Sequence, residues 1–207
     1  PLHNIKQTNV TTVLIDNLQK VARFRNVLRL DNPHTSLNVE FNLFERHVDG
    51  SLALVNGSNS EFISGVTPMV LEIKNNEAQR PVFFSLLWIS ATGEISSVYP
   101  YQKASEELSP GKTVRIGDGS NKLTASLSDS YISDVGSESC KVIFSSEESD
   151  FRWLNQQGLR SSAGADSHVA AFDHAFSGQV NRNSSSAAND WQAITRSFVI
   201  VRQAAVL

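Results

Sequence analysis

The stretch PMVLEIKNNEAQRPVFFSLLWISATGEISSVYP, Pro68 to Pro100, decides the fold. It holds three apolar runs: Val70 to Ile73, Val82 to Ile89, and Ile95 to Tyr99. The breaks between them fall at Asn75-Asn76 and at Ala91-Thr92-Gly93-Glu94. β-Branched and aromatic residues fill the runs and turn formers fill the breaks, so the pattern predicts three consecutive antiparallel strands. The middle run, Val-Phe-Phe-Ser-Leu-Leu-Trp-Ile, is apolar at nearly every position, which a strand tolerates only when both its faces are covered. It is expected at the centre of the core.

Upstream, residues 1–9 are polar and unpatterned, and read as an arm or linker. Leu14, Leu18, Val21, Ala22, Arg25 and Leu28 then recur at steps of three and four, which predicts an amphipathic helix over about 11–28. Thr11 or Thr12 is its expected cap, and Asn32-Pro33 its stop. Val39, Phe41 and Leu43 alternate with Asn38, Glu40 and Asn42, the period of a half-buried strand. Asp49-Gly50 supplies a hairpin turn, with Leu52 to Val55 returning.

Downstream, Pro110-Gly111 reads as a tight turn between short strands. Val114 to Ile116, Leu123 to Leu127 and Ser139 to Ser145 are strand candidates, and Phe151, Trp153 and Leu154 suggest a short buried helix. Residues 155–190 form a long polar region with a weak helical pattern at Val169 to Phe176, before a final strand from Ile194 to Val201. The expectation is mainly β: one antiparallel two-sheet β-sandwich over 10–207 with an N-terminal amphipathic helix.

Composition narrows the function without naming it. The chain has 207 residues, 40% hydrophobic and 19% charged, which is globular and neither disordered nor membrane-spanning. A net charge of −3 gives no clustered basic footprint for nucleic acid. One cysteine, Cys140, excludes an internal disulfide framework and favours a reducing, cytoplasmic setting. No apolar run reaches the roughly 20 residues of a membrane helix, and no basic-then-apolar leader precedes Leu2. Sequons at Asn9, Asn56 and Asn183 are expected by chance in an Asn- and Ser-rich chain. The chain starts at Pro1 without a methionine, as a piece cut from a longer protein would.

Each reactive constellation has a plainer reading. Cys140 begins an apolar strand beside Glu138, with no catalytic signature around it, and reads as structural. His168 and His174, six residues apart near Asp166 and Asp173, lack metal-ligand spacing and would lie on different faces of a helix. Gly117-Asp118-Gly119-Ser120 reads as a turn, because it lacks the strand-to-helix setting of a nucleophile elbow. No metal, cofactor or catalytic residue is assigned. Tyr99, Tyr101 and Trp191 are the candidate interaction residues, weighed against core packing.

Four stretches carry a resemblance: residues 21–33, 80–100, 140–159 and 190–202. Arg80-Pro81, Thr92-Gly93-Glu94-Ile95, Tyr99-Pro100, Pro110-Gly111 and Lys141 through Phe151 follow one another in an order that resembles the non-catalytic β-rich region downstream of the peptidase domain in bacterial caspase-like (metacaspase-type) proteins. No segment matches either member of that family's His-Cys dyad. The resemblance implies a non-enzymatic accessory domain that docks on the peptidase domain or recognises a protein partner or substrate. Two other readings stand beside it. An unrecognised hydrolase requires two or more of His47, His168, His174 and Cys140 to converge in a cleft with shifted pKa values. A carbohydrate- or small-ligand-binding sandwich requires two or three aromatic rings exposed together on a concave face, with Tyr99, Tyr101 and Trp191 as the candidates.

Overall fold

In the computed structural model, which describes residues 7–119, 122–127, 131–159 and 190–203, the chain forms two packed sheets with a helix on the outer face of one of them. The first sheet runs β2 (Leu52–Leu54), β1 (Val39–Arg46), β4 (Pro68–Asn75) and β8 (Thr113–Ile116), with β9 (Leu123–Thr124) also paired to β4. The second runs β3 (Glu61–Ile63), β11 (Trp191–Val201), β10 (Val135–Ser145), β5 (Val82–Ile89) and β6 (Ile95–Tyr99), with β7 (Glu106–Leu108) paired to β5. The expected β-sandwich is therefore present, with one departure from an all-antiparallel design. β3 runs parallel to β11.

The middle run behaves as its composition requires. Alternate residues of β5 point to opposite faces. Val82, Phe84 and Leu86 enter the core between the sheets, against Phe41, Leu43, Leu71 and Ile73 of the first sheet. Leu87 and Ile89 enter a second cluster on the outer face with Val27 of the helix and Leu154. Strand β10 is equally enclosed, since every residue from Glu138 to Ser145 is buried. Its polar residues Ser139, Lys141 and Ser145 disguise this in the sequence. Ser139 and Ser197 hydroxyls pair at 2.8 Å, and Lys141 Nζ donates to the Leu30 carbonyl at 2.7 Å.

The three runs are not three neighbouring strands. β5 and β6 pair, but β4 belongs to the other sheet, and residues 76–81 cross between the layers. A hairpin would have placed two strongly apolar strands side by side; the crossover lets them face one another across the core. Asn75 holds the crossing. Fully buried, it donates from Nδ2 to the carbonyls of Arg80 (3.0 Å) and Leu108 (2.9 Å), while its Oδ1 accepts the Glu77 N–H.

The helix, α1, spans Gln7–Arg29 and so begins ahead of the expected start. Gln7 to Asn9 belong to it, not to an arm, and Thr11 and Thr12 lie inside it instead of capping it. Its end at Arg29, just before Asn32-Pro33, agrees with the sequence reading. The hairpin at Asp49-Gly50 forms as expected, with Gly50 at φ 85° and the His47 N–H donating to the Ser51 carbonyl at 2.9 Å. The short helix is η1 (Arg152–Leu154), in which Leu154 is buried while Trp153 is exposed. β3 and β7 were not expected. Each has three residues, too few to show a period. The weak helix expected at Val169 to Phe176, and most of the long polar region, lie outside the described residues.

Asn75→Ala removes the donor to the buried Leu108 carbonyl and to the half-buried Arg80 carbonyl, and the acceptor that fixes Glu77. It is expected to cost about 2 kcal/mol, read as a lower urea midpoint at unchanged slope.

Candidate functional site

Two features of the surface depart from what packing alone requires. The first is the N-terminal half of α1. Phe24, Val27 and Leu28 sit on the outer face of the second sheet, with Leu30 and Trp191 in the same cluster. Gln156 fastens the helix further along by donating from Nε2 to the Lys20 carbonyl (3.1 Å) and to the Gly93 carbonyl in the β5–β6 turn (2.6 Å). Before Lys20 the helix still carries large apolar side chains, but they are left uncovered. Val10, Val13, Leu14, Ile15 and Leu18 are each 51–60% exposed. Large apolar side chains grouped on one helix end are a surface that water disfavours and a partner relieves.

The second feature is a cleft of about 360 Å³ at the end of the sandwich where β5 turns into β6. Trp88, Ser90, Thr92, Glu94, Ser96 and Glu138 line it, with Leu127 and Tyr131 closing one side. Glu138 lies on β10, on the face that looks between the sheets, and is 4% exposed. Its Oε2 accepts the Trp88 indole N–H at 2.6 Å. Burial pushes its carboxyl up to about 7, against the bonds from Trp88 and the Ala91 backbone that favour the ionised form, and the nearby Glu94 raises it further. No ion pair among the described residues involves Glu138. The hydroxyls around it are already engaged, Ser90 with Thr92 at 2.6 Å and Ser96 with Glu94 at 2.9 Å.

The sequence candidates are distributed differently. Tyr99 is half-buried on the inner face, stacked on Phe84 with ring centroids 5.5 Å apart. Trp191 is half-buried on the outer face in the cluster beneath α1. Tyr101, 81% exposed, stands alone of the three in solvent. The three rings therefore do not form one platform, because Tyr99 and Trp191 serve opposite faces of one sheet. Cys140 lies wholly inside the inter-sheet core, and burial pushes its thiol far above the ordinary range, with the Glu138 charge adding to it. A thiol held protonated in this way is a packing group. His47 is exposed in the β1–β2 turn of the other sheet, so the two described members of the suggested cluster do not meet. His168 and His174 lie outside the described residues. Among the described residues no group of three or more His, Cys, Asp or Glu is placed to hold a metal ion.

Sequence reasoning missed Glu138. It appears there as one acidic residue in a serine-rich lead to a strand, and its burial depends on Trp88, fifty residues away. The only local signal was its even spacing from Cys140, Val142 and Phe144 on one strand face. The structure thus defines a two-layer β-sandwich carrying an externally packed helix and an end cleft. Comparison of the chain with protein-family models and with curated proteins gives no match.

The Glu138 carboxyl makes stability depend on pH. Between about pH 4.5 and 7 the folded protein keeps a proton that the unfolded chain has released, so raising pH through that window removes stability. The loss is complete above 7 and amounts to roughly 3 kcal/mol. Glu138→Gln retains an acceptor for Trp88 and carries no charge. It is expected to flatten this dependence and to raise the urea midpoint at pH above 7, with little change below 4.5.

Proposed function

We propose that this chain is a non-enzymatic accessory domain of a caspase-like protease, and that its peptidase domain docks on the exposed N-terminal half of α1. The observation that carries the reading is how one helix divides its large apolar side chains between its two halves. Phe24, Val27 and Leu28 are used by the domain's own sheet, while Val10, Val13, Leu14, Ile15 and Leu18 are left to water. A helix that served only to cover the sheet would end where the sheet ends. Extending it by about three turns of exposed apolar surface costs solubility and is offset only when something binds there.

The partner class comes from the resemblance of residues 21–33, 80–100, 140–159 and 190–202 to the β-rich region that follows caspase-like peptidase domains. Several of those motif residues prove to be turn and core positions. Arg80 ends the crossover, Gly93 takes φ 82° in the β5–β6 turn, and Lys141 anchors the helix end. They describe a scaffold, and a scaffold is what an accessory domain supplies. A reducing cytoplasmic setting goes with this reading, since Cys140 is buried and unpaired. No described helix is long and apolar enough to cross a membrane.

The test is binding of the chain to a separately produced caspase-like peptidase domain, measured by titration calorimetry, with peptide hydrolysis by the chain alone as a parallel assay. Leu14→Glu combined with Leu18→Glu keeps good helix formers at exposed positions and is expected to leave stability within about 0.5 kcal/mol. It is expected to weaken binding by about a hundredfold or more, the scale of a lost apolar anchor pair. Absence of binding by the unaltered chain, or unchanged binding by the double variant, sinks the proposal.

A further inference from the structure

We propose that the end cleft binds an organic cation, a guanidinium or primary ammonium group presented on a peptide side chain. The argument begins with its charge. Among the described residues, the ionisable side chains lining it are Glu94, Tyr131 and Glu138, with no Lys, Arg or His. Glu94 comes from the β5–β6 turn, Tyr131 from the segment leading into β10, and Glu138 from β10 itself. Cys140, one step along the same face of β10, is held neutral by burial. A carboxylate that is 4% exposed and forms no ion pair among the described residues is costly when ionised, and an arriving positive charge removes that cost.

The remaining walls specify what kind of cation. Trp88, Val98, Leu127 and Tyr131 offer rings and aliphatic surface to a methylene stem, and the Trp88 indole adds attraction for a cation held against its face. A cleft of about 360 Å³ is at the small end of ligand sites, enough for one side chain. A metal ion is the poorer fit, because two carboxylates are fewer than the ligand set it needs and no third metal-binding group joins them among the described residues. The inference does not rest on the docking surface proposed for α1. The cleft opens on the inner side of the sheet, and the helix covers the outer side.

Ionisation of Glu138 and cation binding are linked. Binding draws the carboxyl toward its charged form and releases a proton, so affinity rises with pH and levels off above the carboxyl's own value of about 7.

The experiment follows the Trp88 indole N–H resonance in the labelled chain, identified by its loss in Trp88→Phe. The probes are a Gly-Arg-Gly peptide with blocked ends, the same peptide with neutral citrulline for arginine, and the free amine agmatine. The arginine peptide is expected to shift the Trp88 indole at about pH 8, and to bind about tenfold or more weakly near pH 5. Glu138→Gln, which keeps the fold, is expected to lose about tenfold or more at the higher pH. No shift of the indole, an equal shift from the citrulline peptide, or full affinity in Glu138→Gln overturns the proposal. Agmatine binding more tightly than the peptide overturns the peptide as the source of the cation.

Discussion

Sheet β3-β11-β10-β5-β6 is covered on both of its faces, and the rest of the molecule is arranged to achieve this. β5 and β10 carry apolar residues on both sides, so one sheet alone cannot bury them. The first sheet closes the inner side through Phe41, Leu43, Leu71 and Ile73. The outer side needs a different cover, supplied by the C-terminal half of α1 and by Phe151 and Leu154 at η1. Each large side chain buried this way contributes on the order of 2 kcal/mol, and the helix would have no reason to hold its position without them. In its N-terminal half Val10, Val13, Leu14, Ile15 and Leu18 are instead exposed, which is why the same helix is both structural and available.

The buried carboxyl and ammonium groups of β10 show how one strand serves two purposes. Lys141 and Glu138 point to opposite faces, three residues apart. Lys141 is sealed beneath the helix end, where its ammonium donates to the Leu30 carbonyl and burial holds its value down to about 8, against the pull of Asp31. The Leu30 carbonyl follows the last turn of α1, where the helix dipole favours positive charge. That lysine is a fastening. Glu138 accepts the Trp88 N–H but looks into an open cleft, and the charge that acts on it there is another carboxylate, Glu94. Burial without a counter-ion is tolerable at the closed end because a carbonyl answers the charge. At the open end it leaves an unbalanced group where a solute can reach it.

Much of the architecture was legible in the sequence because its causes are local. Val39, Phe41 and Leu43 alternate because one face of β1 is wet, and the unbroken Val82 to Ile89 run declares that neither face of β5 is. The candidate surface was less legible. Tyr99, Tyr101 and Trp191 were named for being aromatic, but a ring in a strand is equally a core residue. Two of the three are divided between the faces of one sheet. β10 was recognised only from Ser139 to Ser145, since Val135 to Glu138 hold no apolar run and Glu138 looks exposed until Trp88 supplies its partner.

By itself, then, the sequence determined the periodic elements and the two-sided burial of β5, because side-chain alternation is set by backbone geometry at the residue concerned. Only the tertiary structure decided that β4 and β5 face each other instead of pairing, that α1 outruns the sheet it covers, and that Glu138 meets Trp88. Those outcomes depend on which surfaces bury one another across tens of residues of intervening chain. A local pattern of apolar and polar residues specifies that a face must be covered and leaves open what covers it.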